Sequence, residues 1–263
     1  MLNTPHILRT ISEEKKVVRE IVRKEGITGI ISDNRWGARS LLVPSVFITH
    51  QVKVLSGITT FLSSKIQQNY IKKFDELWIP DVAEEPSLSG KMGHNHSFKI
   101  PIKYLGHLSR FQKENVATKY DITAVLSGPE PQRSMLEEKL LKHLKGIPQK
   151  VAIVRGVVEP ELKVTEDENL VIYNFLQSRE LQDLLNASKI VITRPGYTTL
   201  MDLAKLKKQL FVIPTLGQYE QLYLAKRLIK NNLAAGCKQG EFNLIKLEDI
   251  AVYKGLGSFE PFN

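Results

Sequence analysis

Short apolar runs rich in β-branched residues alternate along this chain with stretches whose apolar positions recur every three or four residues. The runs Ile27 to Ile31, Ser45 to Thr49, Glu76 to Pro80 and Ile102 to Gly106 predict strands in the first half. Further strands are predicted at Ile122 to Leu126, Lys150 to Arg155, Leu170 to Tyr173, Ile190 to Thr193 and Leu210 to Ile213. Helical spacing predicts helices over Ser12 to Lys24, Val54 to Phe74, Gln132 to Leu144, Glu180 to Ala187 and Tyr197 to Lys207. Ser12 can cap the first of these, Glu13 and Glu14 suit its positive end, and Gly26 closes it. Alternating strands and helices predict an α/β architecture with doubly wound parallel sheets. The polar stretch from Gln112 to Tyr120 places a boundary, giving domains 1–115 and 121–263. Residues Asp81 to Ser97, acidic and small, read as a surface loop.

In parallel sheets ligands gather at the carboxyl ends of strands, and polar groups follow several of these runs. Asp33, Asn34 and Arg35 follow the first, and His50 follows the second. Ser127-Gly128-Pro129-Glu130-Pro131-Gln132-Arg133 joins a strand to a helix; Gly128 lets backbone approach a ligand, and the helix start offers N–H groups to an anion. A plain strand-to-helix turn accounts for that stretch equally well. Gly196 precedes a helix with Thr198 and Thr199 in its first turn, a pattern suited to a diphosphate together with Arg194 and Arg133. Asp202 lies further along that helix, where a carboxylate can accept both hydroxyls of a ribose or simply face solvent. After Pro214 a polar loop carries Gln218, Glu220 and Gln221.

Composition narrows the class. With 42% apolar and 25% charged residues the chain reads as a folded protein, and one cysteine excludes an internal disulfide and fits a reducing cytosol. No apolar run nears the ~18 residues of a spanning helix, and the amino terminus lacks the pattern of a signal peptide. Seven of the nine net positive charges fall in residues 1–120. That half suits an anionic acceptor or lipid, or is a lysine-rich solvated surface; without an arginine-rich stripe or aromatic platform, nucleic acid is not expected. The stripe from Val54 to Phe74, with Lys65, Lys72 and Lys73, either lies on a membrane surface or packs on its own sheet. His94-Asn95-His96 lacks a third ligand, so no metal and no cofactor are expected.

Residues 121–253 resemble the donor-binding domain of MurG-type glycosyltransferases, family 28, through the spacing of Gly196, Thr199, Asp202, Glu220-Gln221 and Phe175-Leu176. Across the whole chain SDNRWG (32–37), PSVFITHQ (44–51), DELWIPD (75–81), KYLGHLSRF (103–111) and VLSGPEPQR (125–133) are similar to a MurG-like group found mostly in Bacteroidetes. The resemblance implies a GT-B fold of two Rossmann-like domains, the first incomplete because the group's amino-terminal glycine-rich loop has no counterpart. It implies metal-independent, inverting transfer of a hexose or N-acetylhexosamine from a nucleotide sugar, UDP-linked, to an unidentified and conceivably lipid-linked acceptor. By position Gly196 and Thr199 meet the diphosphate, Asp202 the ribose, Phe175 and Leu176 the base, and Glu220 and Gln221 the sugar. Asp33 and His50 remain as base candidates, with Asp33, Asn34 and Arg35 on the acceptor side. The location implied is cytoplasmic, at most peripheral to the inner membrane face. Alternatives are a donor-binding module without activity of its own, one completed by a separate amino-terminal chain, and a sugar-nucleotide epimerase.

Overall fold

The computed structural model of the protein describes residues 4–94 and 98–258, and the chain divides into two compact units, Met1–Gly106 and His107–Asn263. In the first unit α1 (Thr4–Lys24) precedes a parallel sheet of β1 (Ile30–Asp33), β2 (Ser45–Ile48), β3 (Glu76–Ile79) and β4 (Ile102–Tyr104), in that spatial order. The helix begins earlier than Ser12, since Pro5 falls in its first turn, where a proline interrupts no hydrogen bond. Phe47, Val52, Ile71, Phe74, Leu77 and Ile79 form the core of this unit.

The stripe between β2 and β3 divides. A 3-10 turn precedes α2 (Thr60–Ile71), whose Ser64, Gln67 and Ile71 are buried. Ile58 is fully exposed, Phe61 is 79% exposed, and Leu62 and Ile66 also face solvent. The polar pair can go inside because its atoms are partnered. Ser64 Oγ donates to the Thr60 carbonyl at 2.6 Å, and Gln67 accepts the Trp36 indole N–H at 2.6 Å.

The expected surface loop after β3 is instead built inward. Asp81 is fully buried, and its carboxylate accepts the N–H groups of Val82, Leu88 and Ser89 at 2.8, 3.1 and 2.7 Å. An acidic side chain that terminates three backbone donors organises a loop from inside it. Asn95, His96 and Ser97 lie outside the described residues.

The second unit contains β5 (Tyr120–Val125), α3 (Gln132–Leu144), β6 (Val151–Val154), β7 (Val164–Asp167), β8 (Leu170–Tyr173) and α4 (Ser178–Asn186). β9 (Ser188–Thr193), α5 (Tyr197–Lys205), β10 (Gln209–Val212), α6 (Tyr219–Lys230), β11 (Ala235–Gly236) and α7 (Ile245–Glu248) follow. The sheet order is β11-β10-β9-β5-β6-β8-β7, parallel except for β7, which runs antiparallel to β8. Leu136, Leu140 and Leu144, one turn apart on α3, pack on Ile122, Ala124 and Ile153. On a second cluster Leu184 of α4 joins Tyr120, Ala152 and Val154.

The polar stretch from Gln112 to Tyr120, where the sequence places a boundary, belongs to this unit, which starts at His107. Gln112 N–H donates to Gln182 Oε1 at 2.9 Å and Glu114 N–H to Asn186 Oδ1 at 3.1 Å. Polarity here reflects hydrogen bonding of a strap rather than freedom of a loop.

Two sets of wholly or partly buried charges lie in the second unit. Arg133 and Glu137 on α3 are 7% and 8% exposed, paired at 2.7 Å, and Glu137 also accepts Arg155 Nε at 2.5 Å. Glu137→Ala should lower unfolding free energy in denaturant by about 3–5 kcal/mol, because it breaks a buried ion pair. The paired replacement Arg133→Met/Glu137→Leu should recover most of that loss. Lys208 Nζ donates to the Asn186 and Ser188 carbonyls at 2.9 and 2.8 Å, and burial pushes its pKa down to about 8. A lysine whose folded pKa lies below its unfolded value destabilises the fold while charged, so stability rises as pH increases through the folded value. Wild type should therefore gain stability relative to Lys208→Met between pH 8 and pH 10.5, measured by urea titration.

Candidate functional site

β10, β9 and β5 are neighbours and parallel, so the segments that follow them emerge on one edge of the sheet. After β5, Gly128 adopts φ +106°, a conformation that L residues avoid. A Cβ at Gly128 would stand 3.8 Å from Thr215 Oγ1, so the segments after β5 and β10 approach closely. Thr215 is 2% exposed, and its hydroxyl has no hydrogen-bond partner among the described residues. A buried hydroxyl without a partner costs stability, and sites that receive polar ligands tolerate such atoms. Nothing in the sequence marked Thr215 beyond its place after Pro214.

Between these segments Gly196 caps α5 with extended backbone, φ −75° and ψ 141°. Gly196 and Thr199 are half-buried and Thr198 is exposed. The first-turn amides of this helix point to the same edge and suit an anion. Arg194 does not add a free cation there. It is 1% exposed, and its guanidinium donates to the Ile213 carbonyl at 2.9 Å, the Gln132 carbonyl at 3.0 Å and Gln239 Oε1 at 2.6 Å. Burial pushes its pKa down to about 10. Arg133 is likewise engaged, donating to Glu130 and Glu137 and to the Arg155 carbonyl. The two arginines expected at a phosphate therefore shape the loops around it, because both guanidinium groups are buried against protein oxygens.

Asp202 is 8% exposed, and its Oδ1 accepts the Ser109 hydroxyl at 2.6 Å. Burial pushes its carboxyl upward in pKa, against the opposing effects of Ser109 and Arg110. Ser109 lies 93 residues before Asp202, and no spacing in the chain pairs the two. Beyond β10, the expected polar loop becomes helix α6 at Tyr219, so Glu220 and Gln221 stand in a helical first turn. Gln221 Oε1 accepts the Thr215 N–H at 2.8 Å, fixing the bend, while Gln218 is exposed at the cap. After β8, Phe175 and Leu176 are half-buried; Leu176 packs beside the Tyr120 and Leu184 cluster. Asn174 secures this end by accepting the Lys163 and Phe175 N–H groups at 2.8 and 3.0 Å.

In the first unit Asp33 ends β1 exposed, and half-buried His50 follows β2. Asn34 accepts Gln67 Nε2 at 3.1 Å, and Arg35 Nε donates to Glu14 at 2.7 Å. Both ring nitrogens of His94 lie 2.9 Å from backbone carbonyls, of Gly90 and Val82, which suits a loop clamp. Among the described residues no group of three or more His, Cys, Asp or Glu side chains could hold a metal ion, and no helix is long and apolar enough to cross a membrane.

Residues 132–252 match the family described as glycosyltransferase family 28 C-terminal domain. No curated protein matches the chain by sequence. Among solved structures, the spinosyn rhamnosyltransferase SpnG complexed with thymidine diphosphate is similar at a TM-score of 0.62 and 13% identity, over 97% of this chain and 73% of that one. An Arabidopsis thaliana protein complexed with UDP-L-rhamnose aligns at 0.61 and 11%, over 97% and 68%. Acinetobacter baumannii MurG aligns at 0.52 and 14%, over 95% and 72%. The parallel α/β units thus have the GT-B type of fold, and the greater part of the second matches the family 28 domain.

Proposed function

We propose that the chain is a glycosyltransferase that binds a nucleoside-diphosphate sugar at the carboxyl edge of the seven-stranded sheet. The observation that most supports this reading is the family 28 match, whose span contains α5 and the segments before and after it. In this reading the amides at the start of α5 and the hydroxyls of Thr198 and Thr199 hold the diphosphate, and Gly128 admits it closely. Asp202 meets the ribose through the carboxylate oxygen that Ser109 leaves. Phe175 and Leu176 border the base, and Gln218, Glu220 and the free amide end of Gln221 face the sugar. UDP is the expected carrier, and the thymidine diphosphate of the SpnG structure makes dTDP the first comparison.

Transfer without metal would let an acceptor oxygen attack the anomeric carbon opposite the diphosphate. The bond to the diphosphate breaks, the configuration inverts, and the acceptor proton passes to a base. Asp33 and His50 are the candidates for that base. The α5 amides would stabilise the leaving charge. The exposed Ile58, Phe61, Leu62 and Ile66, with Lys65 among them, suit contact with the membrane that carries a lipid-linked acceptor. A second reading is a donor-binding module without turnover of its own; the chain spans 73% of the SpnG chain and 72% of the MurG chain.

Calorimetry with UDP, dTDP and UDP-N-acetylglucosamine should show binding that a chelator leaves unchanged. Thr199→Ala should weaken it by about tenfold, the value of a hydrogen bond to a charged group. Asp202→Asn should weaken nucleotide but not pyrophosphate binding. Heat from none of the nucleotides would sink the proposal. Product analysis separates the rest: sugar on an added acceptor means transfer, an altered nucleotide sugar without acceptor means epimerisation, and binding alone means the module. For the membrane surface, Ile58→Ser/Phe61→Ser should abolish flotation with anionic vesicles at unchanged melting temperature, since both side chains are exposed.

A further inference from the structure

At the opposite, amino-terminal edge of the four-stranded sheet lies a groove of about 230 Å³ lined by Lys15, Arg19, Arg39, Ser40, Leu41 and Leu42. Its place in the sheet follows from its neighbours: Ser40 N–H donates to the hydroxyl of Ser45, the first residue of β2, and Arg39 Nη1 donates to the Lys73 carbonyl shortly before β3. Asp33 and His50 belong to the other edge.

The charges here are of one sign. Lys15 shares the stripe of α1 that carries buried Ile11 and Val22, a position where an apolar residue would serve the fold better. Burial, then the charges of Arg39 and Lys73, push its pKa down. Carboxylates of the same segments are committed elsewhere: Glu13 to Arg9, Glu14 to Arg35, and Asp75 to the Ser45 N–H. Arg39 Nε is buried and has no hydrogen-bond partner among the described residues. Lys73 rests its ammonium over the Tyr70 ring at 4.5 Å. Gathering these cations costs stability in the empty protein, and an anion would offset that cost. Beside them Leu41 is 93% and Leu42 50% exposed, held in place by the Leu42 N–H bond to Ser40 Oγ.

We propose that this groove binds a phosphate group, with Arg39 and Lys15 as its ligands and Leu41 and Leu42 receiving an apolar part of the same molecule. Guanidinium and ammonium donors at one pocket match the acceptor oxygens of a phosphate, and adjacent bare leucines match an alkyl chain. The source is either a lipid headgroup or a free phosphate.

Calorimetry on the full chain would compare inorganic phosphate with monomeric dihexanoyl phosphatidic acid. The test variant is Lys15→Gln/Arg39→Gln; the control, Lys142→Gln/Lys189→Gln, removes equal charge from the second unit. Wild type and control should bind, and the test variant should bind about tenfold or more weakly, the scale of one charge-assisted hydrogen bond. Preference for the phosphatidic acid supports the proposal and identifies a lipid headgroup; equal affinity identifies free phosphate, which keeps Arg39 and Lys15 as ligands and overturns the part given to Leu41 and Leu42. Absence of binding by wild type, or the same loss in test and control variants, overturns it. Lys15→Leu supplies a second readout should the double variant fail to fold. It should raise the melting temperature while weakening phosphate binding, and a lower melting temperature with unchanged binding would refute the proposal.

Discussion

The buried guanidinium of Arg194 is the contact on which the candidate site depends. It follows β9, yet its hydrogen bonds run to Ile213 beyond β10, to Gln132 at the start of α3 and to Gln239 beyond β11. One side chain therefore ties together the segments after four adjacent strands, those that would surround a ligand at this edge. A lysine could not substitute, because a single ammonium lacks the planar fork that reaches carbonyls in several directions. The cost is a cation held at 1% exposure with its Nε unpartnered among the described residues. Such a cost is sensible only where loop position matters more than stability.

Arg133, after the neighbouring strand β5, repeats the arrangement with two carboxylates as well as a carbonyl as partners. Gln221 does so with a neutral amide, holding the Thr215 N–H. At this edge the Thr215 hydroxyl has no hydrogen-bond partner among the described residues, beside the start of α5 with Thr198 and Thr199. The two arginines build the frame of this edge. A diphosphate held mainly by amides and hydroxyls needs no nearby cation for its binding, only a helix end in the right place.

This division explains what could be read in advance. α3 was legible to the residue, because its leucines recur one turn apart and each meets the same cluster. β7 was not: Val164 to Asp167 is exposed along its whole length, so no burial pattern reached the sequence. α6 was hidden by its start, where Gln218 to Gln221 look like loop until the apolar residues of the next turns are counted with them. The stripe that contains α2 left two readings open, a membrane surface or packing on its own sheet, because spacing alone cannot show that Ser64 and Gln67 take the inward face while Phe61, Leu62 and Ile66 are exposed. For the site, glycines and strand ends were legible because backbone geometry demands particular residues there. Roles of Arg133, Arg194 and Asp202 were not, because residue type says nothing of which distant oxygen or hydroxyl a long side chain will find.

The contrast between satisfied and unsatisfied charge carries furthest. In the second unit the buried cations end on carbonyls or carboxylates, Arg133 on Glu137 and Arg194 on Ile213, as does the half-buried Lys208 on Asn186 and Ser188. Each is accounted for by architecture. In the first unit Lys15 and Arg39 sit together with their neighbouring carboxylates drawn away to other partners. Cations that end on protein oxygens in one unit and cations that face each other in the other are two different arrangements. The second arrangement is the one expected of a surface awaiting an anion, because attraction to a ligand can be kept only if no internal carboxylate consumes it.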